Sequence, residues 1–554
     1  MRGDILAPGF WLPASGSWLL GSGFWVLASG SGLLTPGSLL PTTDYFLLVP
    51  GSWLLFFCLL SPVLFFWLLD SFSSVPSSRP DTTKEPMSTI TAAPPQSALK
   101  VVALDYWHGL KGLFTCPREI WIVYAVEILE SLCYFSSVLM LMIFMTQDMG
   151  LSDTAAGTIF GVFSASMSFF MLFVGFIADA MGIKKALLVG LVIALVGRAV
   201  ITFTVEPAII YPGLFVLSIG FAYLIPLLSA AVKLSSTRKT QKYAYSWYYV
   251  VMNVGSLAAG LTLDPIREAF TSVMSFPVFG HELLVRPTQV IFLVGLLATV
   301  ASLVLILFFF RKHIPKTEEA EAGESASPTP ATVDKPEKKT AWQVMKEVVI
   351  EKKFWIFISF IFLLVLVKMI FQYNHSLYPL YMERIGLKEW TGKLYSINPF
   401  IIIFLVPVMT ALTGRMHAYK VIVWGAFISA GSVFFLGLGE SIMLIVSFQV
   451  MLSLGEALYS PRLYDYTATI APPGKEASYM ALSKVPMFFA KVGAGPITGL
   501  LLANLCPPEG PRNTELMWII VGASTMISPI TLFLGRKWLD VEGRERTAKV
   551  ESAA

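Results

Sequence analysis

Charge is scarce in this chain. Asp, Glu, Lys and Arg make up only 14% of its 554 residues, about half the quarter usual in soluble domains. The net charge of +4 is too small and too scattered to suggest a nucleic-acid partner. Four cysteines (Cys58, Cys116, Cys133 and Cys506) form no CxxC pair and no ligand spacing with histidine, so they read as small apolar fillers. The sequence has no nucleotide-binding loop, no HExxH and no metal-ligand cluster. A membrane enzyme, an ATP-driven pump and a bound cofactor or metal are therefore not expected. Apolar residues fill the space: 55% of the chain, or about 62% with its 41 glycines, against roughly 45–50% in soluble proteins. Mean hydropathy is +0.69. A soluble globule could hide this much only in a core larger than one surface can cover. The composition excludes a disordered protein, a disulfide scaffold and almost any cytosolic enzyme. It points to a polytopic membrane protein.

Residues 1–86 differ from the rest. No charge falls between Asp4 and Asp44, and near-copies of one phrase recur, as in Gly9-Phe-Trp-Leu and Gly23-Phe-Trp-Val-Leu, or Ala14-Ser-Gly-Ser and Ala28-Ser-Gly-Ser. Gly, Ser and Pro interrupt each apolar run before helical periodicity develops. Only Tyr45 to Leu69 is long enough to cross a bilayer, and Pro50, Gly51 and Pro62 break it. It lies too far from the terminus, and lacks the basic region, for a secretory signal. This extension is expected to be dispensable.

Met87 opens a polar lead-in, 87–118, which is expected to be cytoplasmic. Beyond it, apolar runs of membrane-crossing length alternate with short charged connections. Twelve spans are predicted: 119–145, 154–178, 186–205, 208–232, 244–263 and 288–310, then 354–379, 391–412, 419–438, 441–466, 477–503 and 514–535. A polar insert at 311–353, rich in Lys, Glu, Ser and Pro, divides them six and six. Its end, Trp342 to Lys353, is expected to form a short surface helix. Two six-helix bundles, 119–310 and 354–535, and a tail at 536–554 complete the organisation. Connections after even-numbered spans, with the tail, carry several times the Lys and Arg of those after odd-numbered spans. By the positive-inside rule the central loop and the C-terminus are cytoplasmic.

Ionisable residues inside apolar spans cost a few kcal/mol each unless paired or facing water, so they mark solute routes. They are Glu127 and Glu130 in span one, Arg198 in three, Lys368 in seven, Glu456, Arg462 and Asp465 in ten, and Lys484 and Lys491 in eleven. Glu127 and Glu130 stand at i, i+3 and project from one face. Close carboxylates readily share a proton, which makes them proton-coupling candidates. Structural ion pairing between helices is the alternative. Lys368 is a candidate cation for either glutamate. Tyr134, Tyr248, Tyr249 and Tyr373 serve equally well as cavity lining or as packing residues, and His375 is a single weak signal.

Five sequence patterns carry a resemblance. Between spans two and three runs Gly175-Phe-Ile-Ala-Asp179-Ala-Met-Gly182-Ile-Lys184-Lys185. Span one holds Glu127-Ile-Leu-Glu130-Ser-Leu-Cys-Tyr134-Phe135, and span five Trp247-Tyr248-Tyr249-Val-Val-Met-Asn253-Val-Gly255-Ser256. Span eight holds Asn398-Pro399-Phe-Ile-Ile-Ile-Phe-Leu-Val-Pro407, and span ten Gly455-Glu456-Ala-Leu-Tyr-Ser460-Pro461. The first resembles the signature loop of the major facilitator superfamily; the other four resemble, in order, the proton-dependent oligopeptide transporter family, over roughly residues 119–535. The resemblance implies an all-α fold of twelve transmembrane helices in two six-helix bundles. It implies a cytoplasmic gate at Gly175, Asp179, Gly182, Lys184 and Lys185. It also implies that Glu456 meets a cationic group of the substrate, with Asn253 and Asn398 supplying hydrogen bonds in the same cavity. Helix-to-helix hydrogen bonding is the other use of such asparagines.

The departures are informative. In that family an arginine follows the second glutamate of span one; here Ser131 stands there. The family's span-seven acid corresponds to Phe371, before Gln372, and its span-eleven tryptophan has no counterpart in Tyr479-Met-Ala-Leu-Ser-Lys484. The arginine and the acid are thought to pair across the outer gate, so their joint loss strands no charge. The arginine also helps anchor a substrate carboxylate, so its loss weakens a dipeptide assignment without weakening a transporter assignment. The expected function is secondary active transport of a small organic solute, peptide- or amino-acid-like, coupled to protons and carried out by a monomer in the lipid bilayer. Glu456, Asn398, Asn253, Tyr134, Lys368 and Lys484 are the expected solute-binding residues. A non-transporting receptor or scaffold on the same fold is the rival.

Overall fold

The computed structural model describes residues 24–25, 49–50, 111–237, 240–278, 281–311, 350, 352–413, 416–470, 485–540 and 543. The chain divides into two compact units, Met1–Ala93 and Pro94–Ala554. In the first, strand β1 (Phe24–Trp25) pairs antiparallel with β2 (Val49–Pro50). The β2 residues fall inside the 45–69 stretch of membrane-crossing length, whose remainder lies outside the described residues. Most of the linker, with the surface helix expected at 342–353, also lies outside them, as do residues 471–484 and with them Lys484.

Among the described residues the second unit holds twelve helices long and apolar enough to cross a membrane, one for each predicted span. They are α1 (Glu119–Ile143), α2 (Asp153–Met181), α3 (Ile183–Phe203), α4 (Pro207–Leu234), α5 (Gln241–Ala269) and α6 (Pro287–Val304). After the linker come α7 (Lys352–Ser376), α8 (Ile397–Thr413), α9 (Ala418–Ser432), α10 (Ile442–Ile470), α11 (Val485–Leu505) and α12 (Thr514–Leu534). Single π-helical turns prolong α1 (Phe144–Asp148) and α6 (Leu305–Phe309). Large apolar side chains such as Phe308, Phe404 and Leu534 lie exposed on the helix surfaces, as hydrocarbon solvent permits. The chain is an integral, multi-pass membrane protein.

Three elements escape the hydropathy pattern. A hairpin of β3 (Met274–Val278) and β4 (His281–Val285) joins α5 to α6. A seven-residue helix, Tyr378–Arg384, follows α7. Span eight begins as a 3-10 turn and a five-residue helix, Thr391–Tyr395, before α8.

In the first bundle α1 packs on α5 and α6, and α3 on α4; in the second α7 packs on α11 and α12, and α10 on α8 and α9. The bundles meet chiefly where α2 crosses α11 and where α5 crosses α8. Glycines set the closeness of both crossings. A Cβ at Gly157 would run into the Gly495 carbonyl, and one at Gly260 would lie 2.8 Å from the carbonyl of Gly392, on the short helix that leads into α8. Without a hydrophobic drive between helices in lipid, such close backbone contact is a principal source of association.

Candidate functional site

Charged residues of the spans stand on α1, α3, α7 and α10, and α5 and α8 supply neutral partners to them. Glu127 on α1 accepts a hydrogen bond from the Tyr248 hydroxyl of α5 at 2.7 Å and another from Ser131 at 3.1 Å. Both donors are neutral. Glu130, one turn on, meets a cation instead: Arg198 of α3 donates to it at 2.9 Å. Arg198 also donates to Thr299 of α6 and lies over the Phe221 ring, 4.9 Å from its centre. Its side chain is 1% exposed. Arg198 is thus a cation for Glu130, a pairing that the sequence reading, which offered Lys368 for either glutamate, did not make. The i, i+3 spacing fixes the face of α1 but not which neighbouring helix each carboxylate reaches.

Lys368 of α7 lies within electrostatic range of Glu456. The Glu456 carboxylate is held between the bundles. Tyr249 of α5 donates to one oxygen and Asn398 of α8 to the other, each at 3.1 Å. Asn398 also donates to Ser453 at 3.0 Å. Pro461, within α10, cannot donate to the backbone carbonyl one turn before it. Asn253 is turned into its own helix, donating to the Tyr249 carbonyl at 2.9 Å, which steadies the α5 turn that presents Tyr249. Tyr134 is half-buried with its ring edge-on to Phe221. The structure therefore brings Glu456, Asn398 and Tyr249 together, and sets Glu127 with Tyr248 on the first bundle's side.

A second polar thread was not legible in the sequence. His375 of α7 lies 3.2 Å from the Tyr395 hydroxyl, which lies 3.1 Å from the Ser256 hydroxyl of α5. These residues are 20 and 139 positions apart, and no local pattern announces the contact. A histidine, a tyrosine and a serine in or beside apolar spans were the signal available.

The loop expected to act as a gate closes the α2–α3 turn. Gly182 has φ +82°, a conformation that a side chain would strain. Lys184 donates to the Leu307 carbonyl at 3.0 Å and to that of Phe310, at the C-terminal end of α6, where unsatisfied carbonyls favour a cation. Lys185 is exposed. Gly175 and Asp179 lie in the last turns of α2. Among the described residues no cluster of His, Cys, Asp or Glu has the geometry of a metal site.

Known proteins agree with this architecture. A POT family transporter solved with 5-aminolevulinic acid superposes with a TM-score of 0.60 at 17% identity, covering 76% of this chain and 97% of that one. Another, solved with a thioalcohol-conjugated peptide, gives 0.60 at 18% identity over the same shares. At this identity the likeness is one of fold. Among curated proteins, dipeptide and tripeptide permease A of Cronobacter turicensis is 21% identical over 183 residues, 32% of this chain and 37% of the permease. The permease of the same name from Proteus mirabilis is 24% identical over 152 residues, 27% of this chain and 31% of that protein. The chain thus matches about a third of the length of these curated relatives. The family model for the Major Facilitator Superfamily matches residues 11–260 and 120–496. The chain belongs to the major facilitator superfamily.

Proposed function

We propose that this protein is a secondary active, proton-coupled carrier of a small organic solute bearing an amine, peptide- or amino-acid-like, working by alternating access. One observation carries the reading: a carboxylate, Glu456, sits between the two bundles on neutral donors from both, Tyr249 and Asn398. An ammonium group entering there would replace neutral hydrogen bonds with a charge-assisted one, at low dielectric, and would tie the two bundles through the solute. Peptide permeases among the relatives and the shared fold support the same class. Lys368, within electrostatic range of Glu456, suits the solute's anionic end, and Lys484 is carried as a further anion partner. Glu127, which accepts from the neutral donors Tyr248 and Ser131, is the residue that gains and loses the coupled proton; Glu130 acts beside it through Arg198.

The protein works as a monomeric carrier rather than an enzyme. Its central loop and C-terminus face the cytoplasm, the side of excess Lys and Arg. The Gly175–Lys185 turn then serves as a cytoplasmic latch.

The test is uptake by the full chain in proteoliposomes, using di- and tripeptides and small amines. Uptake of at least one solute should collapse with the proton gradient. Glu127→Gln should keep solute exchange while losing accumulation, and Glu456→Gln should lower both by about tenfold or more. Uptake indifferent to the gradient would refute coupling. If no solute binds, while changes in 311–352 abolish binding of another protein, the receptor reading replaces this one.

A further inference from the structure

The face of the molecule that carries the start of α2 and the end of α5 also carries the end of α7 and the entry to α8. Here the bundles are joined by charge. Glu383 and Arg384, neighbours on the short helix Tyr378–Arg384, each grip a different helix of the first bundle. Arg384 donates both terminal nitrogens to Asp153 at the start of α2, at 3.0 and 2.5 Å, and one of them also to the Cys506 carbonyl. Glu383 pairs with Arg267 near the end of α5 and accepts from Gln147 of the α1 extension at 3.2 Å. Neighbouring residues on a helix point about 100° apart, which lets one seven-residue element reach three helices. Asp264 of α5 adds a third hold, accepting from the backbone N–H groups of Gly392 and Lys393 at 2.8 and 2.7 Å. At the rim Lys393 meets Glu268 at 3.2 Å.

The pairs differ in burial, and burial decides which matter. Asp153 and Arg384 are 7% and 8% exposed; Glu268 and Lys393 are 50% and 41% exposed. Exposed pairs contribute little, whereas removing one partner of a buried pair leaves the other charge without compensation. Apart from the Arg384–Cys506 bond, which stays within the second bundle, each of these contacts crosses from bundle to bundle, so the face cannot part while they hold.

We infer that Glu383 and Arg384 form the clasp of a second gate, with Arg267 and Asp153 as its receiving residues and the Asp264 hold on Gly392 and Lys393 beside it, on the face opposite the Gly175–Lys185 turn. The short helix is its moving part: it follows α7 directly and packs on α1. Opening exchanges the buried pairs for hydrated charges, and closing restores them. That this parting admits a solute depends on the carrier function proposed above; the grip itself does not.

The measurement is the rate at which a membrane-impermeant thiol reagent, applied from the Asp153 face, modifies a cysteine placed at Ser256, on the bundle seam behind the clasp. The full chain in proteoliposomes is used, with the chain lacking that cysteine as background. Asp153→Asn and Arg384→Gln should each raise the rate by about tenfold. The exchanged pair, Asp153→Arg with Arg384→Asp, should return it to within about threefold of the starting rate. Glu268→Gln should leave it within about twofold. Equal rates in all variants would overturn the clasp, and so would an exchanged pair as reactive as either single change. A chain that fails to transport but follows this pattern keeps the clasp and loses the carrier reading. A transporting chain without the pattern does the reverse.

Discussion

Glu127 and Glu130 sit three residues apart, so their side chains leave α1 about 60° apart. That small rotation sends Glu127 to a tyrosine and a serine and Glu130 to an arginine. The two acids should therefore answer mutation differently. Arg198→Met strands a buried carboxylate and should destabilise the protein by about 3–5 kcal/mol, while adding Glu130→Leu should regain most of the loss. Thermal unfolding of the detergent-solubilised chain reads both, and an Arg198→Met protein as stable as the parent would refute the pairing. Glu127→Gln leaves no counter-charge behind and should shift unfolding little. Residue types and their depth in the membrane were legible in the sequence, because an acid in an apolar run is conspicuous there. Partners were not: Glu130 and Arg198 are 68 positions apart, and Tyr249 and Glu456 are 207 apart.

At the scale of elements, hydropathy found all twelve spans because lipid imposes one rule on every crossing helix: enough apolar length and no unpaired backbone. The elements it missed obey no such rule. The Tyr378–Arg384 helix is two turns long and charged at its end, and it reads as a connection. The hairpin has five-residue strands, one of them with a proline, too short for a periodic signal. Helix crossings are equally silent, since a glycine at a crossing looks like any other. Gly157→Ala would drive a methyl into the Gly495 carbonyl, and should cost about 1–3 kcal/mol and slow uptake. Gly431→Ala meets only the end of Met526, 3.9 Å away, and should stay within about 0.5 kcal/mol of the parent. Paired thermal-unfolding curves separate the two, and equal shifts would remove the special role of the α2–α11 crossing.

For the whole molecule, the chain divides where its composition changes, close to Met87 and between Ala93 and Pro94 by contacts. The predicted spans and the patterns at the site fall beyond that point. A chain beginning at Met87 should insert and take up solute at about the rate of the full chain, within twofold. Failure to insert would assign the extension a role in biogenesis. The sequence by itself determined the solvent, the number of crossings, their division into two sixes and the superfamily, because these follow from local averages of polarity and from short contiguous patterns. Only the tertiary structure decided that Arg198 serves Glu130, that Tyr249 and Asn398 reach Glu456 from opposite bundles, and that one short helix holds three others. Such contacts depend on how helices rotate and cross, which the summed packing of the whole fold sets and no single segment encodes.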